Sequence, residues 1–291
     1  MSKPAAPVPM RSPELHIRSR RQLTASGIGK RQLELLLRDG RMRRIARGWY
    51  ATAGAPEEAL SALRRGHRLT CISALRLHGI WTPVSPHSHE AALRTGRRTD
   101  RGRAVGQGIL LHDPPPTTWP VDAPILPLMG ALTHALRCLD ATGAAIVLES
   151  ALHLRLITAA EVHEVAAGLS ARHRAAIFPL SATAESGTET IVRRFLERRG
   201  IAVRPQVFIP GVGHVDMVVG ERLVIECDSV AFHAGTEQFH RDRQRDLRLR
   251  ELGYIPVRLT WEQVVLDWDR TSQVLLAMVR RGDHRAPRTR T

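Results

Sequence analysis

Three carboxylates, Asp216, Glu226 and Asp228, stand inside two short apolar runs in the stretch His-Val-Asp-Met-Val-Val-Gly-Glu-Arg-Leu-Val-Ile-Glu-Cys-Asp-Ser, residues 214–229. Carboxylates in strands that face a core are costly, because an unpaired buried charge is strongly unfavourable. A divalent cation balances them economically, and hard oxygen ligands suit Mg2+ or Mn2+. Magnesium held by one or two carboxylates keeps bound waters. It can activate one of them for phosphodiester hydrolysis and stabilise charge on the phosphate. Asp216 and Glu226 are the candidate metal ligands. Each has a plainer alternative. Asp216 is also the kind of residue that bonds backbone amides at a hairpin end, and Glu226 can pair with an arginine of the charged segment 236–252.

The spacing says how these groups are positioned. Val215, Met217 and Val219 are apolar at period two, as are Leu223, Ile225 and Cys227, so each set marks a core-facing side of a strand. His214, Asp216, Val218 and then Val224, Glu226, Asp228 fall on the other side. Directly opposed residues of an antiparallel pair share a face, so Met217 is expected opposite Ile225 and Asp216 opposite Glu226. A two-residue loop at Gly220-Glu221 would mix the faces. The pattern therefore requires an odd loop or a bulge near Gly220. Around the hairpin, Ser186-Gly187-Thr188-Glu189 opens a helix that Gly200 closes. Residues 201–209 read as a strand, 210–213 as a turn, 236–252 as a charged helix closed by Gly253, and 254–260 as a strand. A helix follows from Trp261.

This order, with Glu189, Gln206, Asp216, Ile225-Glu226-Cys227-Asp228, His233, Asp242, Arg245, Asp246, Leu249, Gly253-Tyr254, Arg258 and Trp261, resembles the superfamily of restriction-endonuclease-like nucleases. Within it, the residues are most similar to the family related to very-short-patch-repair endonucleases. The resemblance implies a metal-dependent endonuclease domain acting on DNA. It departs at Asp228, where the restriction-enzyme pattern has a lysine. The repair-endonuclease pattern has a histidine near that place and another five residues later, which His233 matches. The resemblance thus implies His233 as a general acid or base, with Asp228 orienting it or binding a second metal. A loop histidine that caps the next helix is the alternative. Glu189 joins the candidate catalytic residues because related nucleases carry a supporting helix carboxylate there. Its spacing from Ser186 also makes it a capping-box residue. Arg241 and Arg245 are candidate contacts to the DNA backbone, and a solvated charged helix face is the default.

The rest of the chain agrees with a polyanionic partner. Its 291 residues carry 43 Lys plus Arg against 28 acidic residues, a net charge of +15. No apolar run approaches about 20 residues, so a membrane is not the expected partner. Three cysteines without a close pair exclude a CxxC zinc site and suggest a reducing cytoplasm. Residues 18–52 read as a winged helix-turn-helix. Lys30, Arg31 and Gln32 begin its second helix, where base edges are met, and a basic hairpin carries Arg43, Arg44 and Arg47 along phosphates. Gly27-Ile28, Gln32, Leu36-Leu37, Gly40 and Ile45-Ala46-Arg47-Gly48-Trp49-Tyr50 resemble abortive-infection antitoxins of the AbiEi type, although the usual first helix is poorly visible before Arg18. Ser73-Ala74-Leu75-Arg76-Leu77-His78-Gly79 and Glu149-Ser150-Ala151-Leu152-His153 extend that resemblance into the middle of the chain. Helix-turn-helix modules also dock proteins, which leaves a protein partner or homodimer as an alternative.

The expected architecture is an α/β C-terminal restriction-endonuclease-like domain (186–282), an N-terminal winged helix-turn-helix (13–55) and a mainly helical middle domain (56–171). A disordered proline-rich tail (1–12), a linker (172–185) and a basic tail (283–291) complete it. The middle is expected to be helical over 57–65, 68–78, 127–139, 144–154 and 158–169, with short strands at 89–93 and 108–112. Its scattered histidines point to no site. The leading reading is a metal-dependent DNA endonuclease with its own DNA-targeting domain, in phage defence or DNA repair. The alternative is a non-catalytic DNA-binding regulator of antitoxin type.

Overall fold

Side-chain caps set where several helices begin. In the computed structural model, which describes residues 14–92, 108–112, 122–228 and 236–286, Ser19 Oγ accepts the Gln22 N–H at 3.1 Å and Gln22 Oε1 accepts the Ser19 N–H at 2.8 Å. This reciprocal box satisfies two donors that a helix start leaves open. It opens α1 (Arg20–Ala25) directly after β1 (Ile17–Ser19). Residues 26–29 lead to α2 (Lys30–Arg38), then β2 (Arg43–Ala46) and β3 (Trp49–Ala51). The three strands pair antiparallel in the order β1-β3-β2, with a bulge between Arg44 and Ala46. Leu23, Leu33 and Met42 form the small core beneath them.

The chain continues through α3 (Glu57–Arg64), β4 (His67–Leu69), α4 (Cys71–Leu77), β5 (Ser88–Ala92), β6 (Ile109–His112), α5 (Leu128–Cys138), α6 (Ala141–His153), α7 (Ala159–Ala166) and α8 (Ala171–Ile177). The stretch 68–78 does not form a single helix. Its start pairs antiparallel with β5 as β4, and β5 pairs parallel with β6. The Thr70 N–H also bonds the His89 carbonyl at 2.8 Å, so long-range pairing overrides the local helical pattern there. The Thr158 box forms as expected, with Glu161 N–H to Thr158 Oγ1 at 3.3 Å and Thr158 N–H to Glu161 Oε2 at 2.7 Å. The segment expected as a linker begins as α8. Beyond it, Arg194 donates to the carbonyls of Ile177 at 2.7 Å and Pro179 at 3.1 Å.

The last part holds α9 (Gly187–Glu197), β7 (Val203–Ile209), β8 (Gly213–Val219), β9 (Leu223–Asp228), α10 (Thr236–Glu251), β10 (Ile255–Thr260), α11 (Trp261–Val265) and α12 (Trp268–Arg281). The helix expected from Trp261 is broken in two at Leu266–Asp267. The sheet order is β10-β9-β8-β7, with β10 parallel to β9 and the other pairs antiparallel. Both sheet faces are covered. Val192, Leu196, Val264 and Leu275 of α9, α11 and α12 pack on Met217, Val219, Leu223 and Ile225. Leu249 of α10 packs with Val215, Val218 and Val224 on the other side. The result is a three-layer α/β arrangement.

The chain divides into two units, Met1–Leu148 with Leu154–Ala176, and Glu149–His153 with Ile177–Thr291. Residues 149–153 of α6 belong to the second because Glu149, fully buried, is bound there. Arg193 pairs with it, Thr190 Oγ1 donates to it at 2.7 Å and the Ser181 N–H at 2.9 Å. Among the described residues no helix is long and apolar enough to cross a membrane. The proline-rich tail of residues 1–12, His233 and the end of the basic tail from 287 lie outside the described residues.

Candidate active site

The hairpin of β8 and β9 has the register its apolar pattern requires. Met217 faces Ile225, Val218 faces Val224 and Val219 faces Leu223. The loop is the three residues Gly220-Glu221-Arg222, an odd number. Gly220 has φ of +59°, and a Cβ there would run into the backbone oxygen of His284. Pairing stops at Met217. The Cys227 N–H, next in line for the ladder, is taken instead by Asp216 Oδ2 at 2.7 Å. Asp216 thus does bond a backbone amide, as its plainer alternative supposes. Val215 departs from the expected face: it packs with Val218 and Val224, not with Met217. The strand reorients at Asp216, and that change brings its carboxylate between the parting strands.

Glu189 comes from α9, close enough for the charge of Asp216 to act on it. Ser186 caps that helix, accepting the Glu189 N–H at 3.2 Å, and Ser186 Oγ–H donates to Glu189 Oε1 at 2.9 Å. The return bond of a capping box is displaced by one residue, because Glu189 Oε2 accepts the Glu185 N–H at 3.1 Å. Gln206 Nε2 donates to the same oxygen at 3.1 Å. Burial, then the charge of Asp216, push the Glu189 carboxyl up to about 7. Asp216 is also raised, by burial first and by Asp228 and Glu185, against the lowering effect of the Cys227 amide. A buried carboxyl raised by a half-buried carboxylate beside it, itself raised by further acids, makes a site of excess negative charge, which a cation relieves.

Glu226 is differently placed. Its Oε1 pairs with Arg245 at 2.8 Å and its Oε2 with Arg258 at 3.0 Å. Burial still raises its pKa, opposed by Arg258 and then Arg245. The expected pairing with an arginine of the charged helix is therefore present, through Arg245, which also donates to the His214 carbonyl. Arg258 is the centre of the arrangement. It lies beside Glu226 on β10 and contacts Asp228 at 3.2 Å, Asp246 at 3.1 Å and Asp242 at 3.8 Å. Its role escaped the reading of the sequence, though it alternates with Val257 and Leu259 in a strand, the signal that sets an arginine on the carboxylate side. The positive charge absent at Asp228 thus arrives from the neighbouring strand. Arg241 is exposed on α10.

Among the described residues, Glu189, Asp216, Glu226 and Asp228 do not close into a set of three metal ligands. Cys71, His89, His112 and Cys138, in the other unit, do. In the N-terminal module, Lys30, Arg31 and Gln32 lie in the first turn of α2, and Arg43, Arg44 and Arg47 on or beside the β2–β3 hairpin. All six are exposed.

The second unit is therefore a three-layer α/β domain with a partly buried acidic site where its central hairpin parts. This domain is restriction-endonuclease-like: residues 189–279 match the restriction endonuclease family model REase_MTES_1575. The match begins at Glu189 and takes in Asp216, Glu226, Asp228, Arg245 and Arg258. No curated protein matches the chain.

Proposed function

We propose that the chain is a divalent-metal-dependent DNA endonuclease, of the kind related to very-short-patch repair, with an N-terminal winged helix-turn-helix that targets it to DNA. The observation that carries this reading is the buried Glu189, held up by the charge of Asp216, inside a restriction-endonuclease-like domain. An all-oxygen site with raised carboxylate pKa values fits Mg2+ or Mn2+. Asp216 and Glu226 would hold the ion, supported by Glu189. Bound there, the ion would supply an activated water and charge stabilisation on phosphate. Arg245 and Arg258 compete for the Glu226 oxygens, so Asp216 carries the larger share. Arg258 also supplies the cationic charge that the residue at 228 does not. His233 serves as the general acid or base, and Asp228 orients it. Arg241 contacts the DNA backbone.

On the N-terminal side, Lys30, Arg31 and Gln32 read base edges while Arg43, Arg44 and Arg47 follow phosphates. The antitoxin-type resemblance of this part and of residues 56–171 supports a role in phage defence, and the repair-endonuclease resemblance one in DNA repair, alone, as a homodimer or with a protein partner. A second reading, a non-catalytic DNA-binding regulator, draws on the double arginine clamp on Glu226 and the acid at 228. Incubation with plasmid and mismatched DNA separates the two. Cleavage in Mg2+ or Mn2+ that EDTA stops supports the enzyme. Tight binding to one sequence without cleavage supports the regulator.

A further inference from the structure

Cys71, His89, His112 and Cys138 are far apart in sequence and close in space. Cys71 opens α4, His89 lies in β5, His112 ends β6 and Cys138 ends α5. One ligand atom from each lies within 4.8 Å of all the others. His89 Nδ1 is 3.0 Å from His112 Nε2 and 3.9 Å from Cys138 Sγ. Adjacent ligands of a tetrahedral zinc ion stand about 3.3–3.8 Å apart, given bond lengths of about 2.0 Å to nitrogen and 2.3 Å to sulfur. The two His89 separations bracket that range, and all four donors lie within a shift of about 1 Å of it.

We propose that these four side chains form a structural zinc site. Two thiols and two imidazoles make a soft Cys2His2 set, suited to zinc and unsuited to the magnesium that the carboxylate site would take. Four protein ligands leave no open position for a substrate, so the site holds structure together and does no chemistry. Its surroundings fix the ligands. His89 Nε2, on the far side of the ring, meets Ser85 Oγ at 3.2 Å, and the His89 N–H donates to Ser73 Oγ at 3.0 Å. Such outer bonds set the tautomer and aim the inner nitrogen. The His112 ring stacks on His134 at 5.3 Å between centroids, and His134 Nδ1 lies 2.6 Å from Thr70 Oγ1, beside Cys71. Cys71 itself has φ of +49°, a left-handed backbone that few side chains adopt, and its thiol is within 4.8 Å of both histidine donors. Cys71, His89 and His112 are buried, while Cys138 is exposed and gives an ion a way in. The ion would tie two helices to two strands of a small sheet in the first unit. None of its ligands belongs to the acidic site.

The test uses the untagged full chain, expressed in zinc-supplemented medium and desalted, with metal measured by inductively coupled plasma mass spectrometry. One zinc per chain is expected. Asp216→Asn should retain it, and Cys138→Ser, changed at the exposed ligand to spare the fold, should lower it at least tenfold. A second measurement does not depend on any variant. Parent chain grown in minimal medium with cobalt should show the strong thiolate-to-cobalt absorption and the visible bands of a tetrahedral ion. Zinc-free parent without the cobalt bands would overturn the proposal, as would a Cys71–Cys138 disulfide in that protein or zinc content unchanged in Cys138→Ser.

Discussion

Replacing Glu189 by Gln should make the protein more stable than the parent above neutral pH and leave it equal in mild acid. Glu189 is 5% exposed, and its pKa rises from 4.5 to about 7 on folding. Below about pH 4.5 both folded and unfolded chains hold the proton. Between about 4.5 and 7 the unfolded chain releases it while the folded one keeps it, so stability falls as pH rises. A shift of about 2.5 units at about 1.36 kcal/mol each gives a cost of about 3 kcal/mol once the pH passes the folded value. Glutamine resembles the protonated acid and can still accept from the Glu185 amide. The assay is urea unfolding from pH 4.5 to 8 in EDTA, with parent and variant compared at each pH. Asp216 and Glu226 titrate in both proteins, so the difference reports Glu189 together with its coupling to Asp216. Parallel stability curves would show that Glu189 is not held protonated, and the push of Asp216 on Glu189 would lose its basis.

Other changes test other parts of the structure. Glu149→Ala removes one partner of a buried ion pair and should cost about 3 kcal/mol in unfolding of the second unit, the lower end of the usual range because Arg193 keeps Glu197 at 2.7 Å. A loss below about 1 kcal/mol would show that the buried Glu149–Arg193 pair does not hold the second unit together. Gly220→Ala forces a side chain into a left-handed loop position against the His284 carbonyl and should destabilise by at least roughly 1–2 kcal/mol by thermal melting. An unchanged melting temperature would contradict the close approach. Replacing Arg43, Arg44 and Arg47 together by Ala should reduce the log–log salt slope of DNA binding by about 0.9 per lost phosphate contact. An unaltered slope would make the hairpin a protein-docking surface.

Much of the acidic domain was legible because local rules act there in the open. The alternation of Met217, Val219, Leu223 and Ile225 required an odd loop, and Gly220-Glu221-Arg222 is one. Ser186 and Thr158 marked helix starts through their own hydrogen bonds. What alternation hid was a sheet buried on both sides. Val218 and Val224 are as buried as their neighbours, so period two could not show that Val215 changes face at Asp216. The arginine clamp on Glu226 needs β10, a parallel strand reached only after α10, and local pattern does not encode that pairing. The Cys/His cluster is the extreme case. Its ligands come from two strands and two helices with no short spacing between them, so three cysteines without a close pair gave no hint of it. Strand β4 was lost for a related reason, since its partner lies some twenty residues on in β5.

The most direct test of the nuclease reading is cleavage of plasmid DNA by purified parent and Asp216→Asn in Mg2+ or Mn2+. The substitution keeps size and removes the charge proposed to hold the ion. The account predicts cleavage by the parent and none by the variant, with several kcal/mol of transition-state stabilisation lost, while DNA binding without metal persists or tightens. Metal-stimulated cleavage that survives undiminished in Asp216→Asn would place the site elsewhere.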